Sequence, residues 1–128
     1  MLFRSIEEQK RSVDEMPVAL AKQYIQSHIR EDISLETVAE KVHLSHTYFS
    51  MLFKKETGRN FIDYVIWARM EEAKRLLAES QMPVSDIAEA VGYLDIRSFS
   101  KRFKKEVGIT PSHFRKYHLD SQIDWWMQ

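Results

Sequence analysis

Three observations predict an all-α fold, with two helix–turn–helix subdomains joined by a long linker helix and about seven helices in total. First, the string "FKKETG" at residues 53–58 returns as "FKKEVG" at residues 103–108. A repeat of that quality in a short chain points to a duplicated structural unit. Second, only three Gly and three Pro occur in 128 residues, which leaves little material for hairpins. Third, apolar residues recur at helical spacing along most of the chain, and no segment alternates as a strand would.

The elements follow in order. Residues 1–17 read as a linker or a partly ordered helix: Ile6, Val13 and Leu20 fall on a heptad-like spacing with Met16 between them, and Pro17 interrupts it. Val18, Ala21, Ile25 and Ile29 then mark an amphipathic helix over residues 18–30. "EDIS" breaks it, and Ser34 is a good N-cap for a short helix, "LETVAEKV". Ser45 caps a helix from about His46 to Thr57, stopped by Gly58, and Asn60 caps a long helix over residues 61–80. The second half repeats the plan. "VSDIAEAV" ends at Gly92, "YLD" is the turn, and a helix runs from Ile96 to Val107 and stops at Gly108. Thr110 caps a last helix with Pro111 at its first position. The expected division is 1–17 extension, 18–60 first subdomain, 61–80 connecting helix, 81–118 second subdomain and 119–128 tail.

The repeat is quantitative. Val38, Ala39 and Glu40 match Ile87, Ala88 and Glu89 at an offset of 49, whereas Phe49, Ser50 and residues 53–56 match Phe99, Ser100 and residues 103–106 at an offset of 50. The added residue lies in the turn, where an extra residue costs least. Ala39 and Ala88 supply the small residue at a close helix crossing. His43 and Gly92 occupy the turn position that often takes positive φ, which Gly adopts freely and His tolerates.

In each copy the second helix turns an apolar stripe inward: Phe49, Leu52 and Phe53, then Phe99 and Phe103. Opposite it lie His46, Thr47, Ser50, Met51 and Lys54 in copy one, and Ile96, Arg97, Ser100, Lys101 and Lys104 in copy two. Short hydroxyls with Arg and Lys suit base edges and phosphates in a major groove, and Lys54, Lys55, Lys104 and Lys105 are the expected phosphate contacts. Net charge is zero, but residues 95–128 carry seven basic and four acidic side chains, clustered in "RSFSKRFKK". Local charge, not the total, decides where a polyanion docks. The connecting helix, about 30 Å long at twenty residues, is close to the roughly 34 Å at which major grooves recur on one face of B-DNA. Its Tyr64, Trp67 and Met70 read as core.

The stretches "ISLETVAEKVHLSHTYFSMLFKKETG", "RMEEAKRLL" and "VSDIAEAVGYLDIRSFSKRFKKEVGITPSHFRKY" resemble the DNA-binding domain of the AraC/XylS family of bacterial transcription regulators. The resemblance covers residues 18–117 and implies two subdomains, each inserting its third helix into a major groove of double-stranded promoter DNA. It places the base-facing positions on His46, Thr47, Ser50, Met51, Ile96, Arg97, Ser100 and Lys101. It also implies help in recruiting RNA polymerase, through a surface the sequence does not locate. Three departures stand out: Pro83 at the cap position that Ser34 fills in copy one, Leu94 where a polar residue is usual, and His43 in place of a small residue. Most members of that family carry an upstream ligand-binding or dimerisation (sensor) domain or a receiver domain. "AKQYIQSHIREDISLETVAEKVHLS" is similar to output domains of response regulators, so a fragment of a larger regulator is expected over a stand-alone one.

Other classes have less support. The five His lie on four segments without metal-ligand spacing, and there is no Gly-rich phosphate loop or Ser elbow. No enzyme activity, cofactor or metal is expected. The absence of cysteine excludes disulfides and thiol nucleophiles and fits a reducing compartment. No apolar run approaches the roughly 18–20 residues of a membrane span, and "MLFRSIEEQK" lacks a signal-peptide layout, so a cytoplasmic location away from membranes is expected. The alternative is a helical protein-interaction module that does not bind DNA by itself, supported by the neutral total charge and by Trp125 and Trp126 in the tail.

Overall fold

The computed structural model describes the backbone of residues 6–127 and the side-chain environments of residues 13–119. Seven helices and no strand occur among the described residues: α1 (Ile6–Ser27), α2 (Leu35–Lys41), α3 (His46–Thr57), α4 (Phe61–Glu79), α5 (Val84–Ala90), α6 (Ile96–Val107) and α7 (Pro111–Met127). Side-chain caps start most of them. Ser34 Oγ accepts from the Thr37 N–H, Ser45 Oγ from Tyr48, Asn60 Oδ1 from Asp63, Asp95 Oδ1 from Ser98 and Thr110 Oγ1 from His113. Each removes one orphan donor of a first turn. Pro83, before α5, makes no side-chain cap; its carbonyl instead accepts from the N–H groups of Asp86 and Ile87.

Helix α1 runs on through Pro17, where the sequence predicts an interruption. Proline removes one N–H donor from a helix, and here the carbonyl left over is that of Val13, a residue 70% exposed, so water can serve it. At the other end α7 continues through Met127. Trp125 and Trp126 lie outside the described side chains, as does Ile6.

The chain forms two compact units, residues 1–28 with 33–65 and residues 29–32 with 66–128. In the first, Val18, Ala21 and Ile25 of α1, Val38 and Ala39 of α2, and Phe49, Leu52 and Phe53 of α3 are buried with Phe61 and Val65. Phe49, Phe53 and Phe61 form a three-ring cluster with centroids 5.4–5.8 Å apart, a spacing at which edge contacts between rings add to area burial. In the second, Met70, Ala73, Leu77, Ile87, Ala88, Val91, Phe99 and Phe103 make the core, with Phe114 packed on Phe103. The ring pairs repeat closely: Phe49–Phe53 at 5.5 Å and 46°, Phe99–Phe103 at 5.8 Å and 46°. Met70 is core as expected, but Tyr64 is half-buried and Trp67 is 39% exposed. Within α4, Phe61 and Val65 serve the first core and Met70, Ala73 and Leu77 the second; Trp67 falls outside both stripes.

Two arginines complete the second unit by satisfying backbone carbonyls. Arg69 donates to the carbonyl oxygens of Ile29, Val91 and Glu31. Burial pulls its guanidinium below the ordinary arginine value, opposed by Tyr93 and Asp32. Arg115 donates to Leu77, Ser80 and Met82, tying down the end of α4 and the chain that follows.

Candidate nucleic-acid interface

The turns that present α3 and α6 share one hydrogen-bond pattern. The N–H groups of His43 and Leu44 donate to Glu40 and Ala39, and those of Gly92 and Tyr93 donate to Glu89 and Ala88. His43 has φ 60° and Gly92 φ 93°, so both turns require the left-handed backbone that the sequence predicts there. Glycine is obligatory only in the second. A Cβ at Gly92 would stand 1.7 Å from Arg69 Nη1 and 2.8 Å from the Ile29 carbonyl oxygen.

Beyond the turn, each second helix buries its phenylalanines and exposes the opposite side. His46, Thr47 and Met51 on α3 are exposed and Ser50 is half-buried; Ile96, Arg97 and Lys101 on α6 are exposed and Ser100 is half-buried. The equivalent positions of the two copies therefore have the same exposure. Lys54, Lys55, Lys104 and Lys105 are exposed in the last turns of their helices, and none of them forms an ion pair with another described residue. No acidic residue interrupts residues 46–55 or 96–105. Gly58 and Gly108 end the two helices in the left-handed conformation, their N–H groups donating to Lys54 and Lys104 at 2.8 Å.

On the first unit, all six predicted side chains, His46, Thr47, Ser50, Met51, Lys54 and Lys55, line one shallow open groove with Leu35. On the second, Lys101 and Lys105 share a depression with Tyr93, Ser98 and Arg102, while Ile96, Arg97, Ser100 and Lys104 lie outside it. Leu35, Tyr93, Ser98 and Arg102 were not expected. Arg102 lies in the basic run "RSFSKRFKK", but it pairs with Glu106 at 3.3 Å, which the i, i+4 spacing could have signalled. Burial pushes the Tyr93 hydroxyl above the ordinary tyrosine value, against the nearby Arg102 and Arg69. The Asp95 carboxyl is drawn below 3.8, mainly by the backbone N–H of Ser98 that it caps. Among the described residues no cluster of three or more His, Cys, Asp or Glu could hold a metal ion.

Residues 38–117 match the model of a helix-turn-helix domain. The chain belongs to the AraC-type helix-turn-helix family. It is similar to the HTH-type transcriptional regulator YobQ of Bacillus subtilis, 35% identical over 115 residues, which span 90% of this chain and 46% of that protein. Among solved structures it is similar to the C-terminal domain of AraT, a response regulator from Geobacillus stearothermophilus, with 41% identity, a TM-score of 0.75 and coverage of 80% of this chain and 85% of that one. It also resembles the DNA-binding domain of AdpA, a global transcriptional factor solved in complex with a target DNA. There the identity is 25%, the TM-score 0.74 and the coverage 80% of this chain and 92% of that one. The chain thus spans less than half the length of YobQ.

Proposed function

We propose that this chain binds double-stranded promoter DNA sequence-specifically and regulates transcription, with α3 and α6 as recognition helices in successive major grooves. The observation that carries this is the paired exposure on α3 and α6. Two copies present polar and basic side chains at matching positions, and each ends in two lysines that pair with no acidic side chain among the described residues. Such faces suit base edges through their hydroxyls and Arg97, and phosphates through Lys54, Lys55, Lys104 and Lys105. The likeness to the C-terminal domain of AraT, a response regulator, supports a chain that works as an output domain; the same proposal takes it to be cytoplasmic, joined to a receiver or sensor, with RNA polymerase as a further partner.

The test is enrichment of a preferred sequence from a random duplex pool, followed by base-by-base protection. Two clusters of protected bases about 10–10.5 base pairs apart are expected. A single cluster, or no enriched sequence, would refute two-groove reading.

A further inference from the structure

We propose that Leu94 is a specificity determinant that makes an apolar contact with thymine 5-methyl groups in the major groove read by α6; this rests on the DNA-binding function proposed above. The two turns match in hydrogen bonding up to Leu44 and Tyr93, whose N–H groups donate to Ala39 and Ala88. The caps that follow are Ser45 and Asp95. Leu94 is therefore the one residue added to the second copy, and the first copy has no counterpart. Its neighbours are both anchored. The Tyr93 ring packs on Phe99 at 5.7 Å, and Asp95 accepts from the Ser98 N–H at 2.7 Å and from Ser98 Oγ at 3.2 Å. Between these fixed points the Leu94 side chain is fully exposed, at 103%, and Ile96 next to the cap is 45% exposed.

An isolated exposed leucine is ordinary. This one stands at the leading end of a recognition helix, in a rigid turn, beside a second exposed aliphatic. The surroundings select the occupant. Arg97, Lys101, Arg102, Lys104 and Lys105 follow within one helix, and no acidic residue lies between Asp95 and Glu106, so the patch favours a polyanion. The apolar group that a DNA major groove offers is the thymine methyl. Leu94 and Ile96 together would give the second half-site a preference for thymine at the leading end of α6.

The experiment takes the preferred duplex selected by the wild-type chain and replaces thymines of the α6 half-site by uracil, one at a time. Affinity is read by fluorescence anisotropy for the wild type, Leu94→Ser and Leu94→Met. At one or more positions uracil should weaken the wild type about fourfold, the factor that burial of one such group corresponds to. Leu94→Ser should lose most of that sensitivity while keeping the wild-type salt dependence, and Leu94→Met should retain it. Full exposure of the side chain makes all three equally able to fold. Uracil without effect on the wild type at every position would overturn the proposal, as would undiminished sensitivity in Leu94→Ser. Sensitivity that survives Leu94→Ser but vanishes in Ile96→Ala would overturn it too, by assigning the methyl contact to Ile96. Failure of the wild type to bind any duplex at low salt would overturn DNA binding itself, and it would be seen before any variant is made.

Discussion

Replacing Gly92 by alanine should be the most costly single change at the second turn. Two costs add. The φ of 93° lies where an L side chain strains the backbone, at about 1 kcal/mol. The new Cβ would also stand 1.7 Å from Arg69 Nη1 and 2.8 Å from the Ile29 carbonyl oxygen, so Arg69 must move. Moving it loosens donation to Ile29 and Val91, and hydrogen bonds from a charged donor contribute about 1.5–3 kcal/mol each. If the equivalent of one such bond is lost, the total is about 2.5–4 kcal/mol. Gly58 and Gly108 also have positive φ but meet nothing within 4 Å, so alanine there should cost only the roughly 1 kcal/mol of backbone strain. Urea denaturation followed by circular dichroism reads all three as shifts of the midpoint at constant slope. Combining Gly92→Ala with Arg69→Ala isolates the collision: the loss from Gly92→Ala should shrink by about 1 kcal/mol or more in that background. Equal losses at Gly92, Gly58 and Gly108 would refute the reasoning, because they would leave backbone strain as the whole effect.

Other consequences are read on DNA or on the caps. Lys104→Ala with Lys105→Ala should weaken binding to all duplexes alike and flatten the slope of log affinity against log salt by about 1.8, near 0.9 for each phosphate no longer neutralised; a sequence-dependent loss would contradict a phosphate role. Arg97→Ala should instead relax preference at one position of the selected site, with about 1–3 kcal/mol less discrimination there, as measured by competition between single-base variants. Asp95→Ala should lower the urea midpoint, whereas Asp95→Asn should largely preserve it, since both Asp and Asn cap well. Because the Asp95 carboxyl is held below 3.8 in the folded chain, its contribution is full above that value and is lost as pH falls through the folded one. Wild type should therefore lose stability relative to Asp95→Asn on acidification below about pH 4, and a difference independent of pH would contradict the charged cap.

The sequence carried most of the fold because local signals agreed with one another. Ser34, Ser45, Asn60 and Thr110 each announced a helix start that the hydrogen bonds place at the same residue. The offset change from 49 to 50 located the insertion in the second turn. Pro17 misled because its steric and donor penalties depend on where the freed carbonyl points, and that is set by α1 as a whole. Arg69 and Arg115 were invisible because their partners are backbone carbonyls 22 to 40 residues away, and a carbonyl leaves no mark in composition. The exposed faces of α3 and α6 followed from helical period alone, since the phenylalanine stripe fixes what lies opposite. The depression around Tyr93 and Arg102 did not, because it combines a turn residue with the flank of a helix.

The most direct test of the central claim is the affinity of this chain for a mixed-sequence duplex of about 25 base pairs, by fluorescence anisotropy across a salt series. Four phosphate-facing lysines predict a log–log slope near −3.6, a loss on the order of a hundredfold between 50 and 200 mM salt. No binding at 50 mM, or affinity indifferent to salt, would contradict an interface built from the basic ends of α3 and α6.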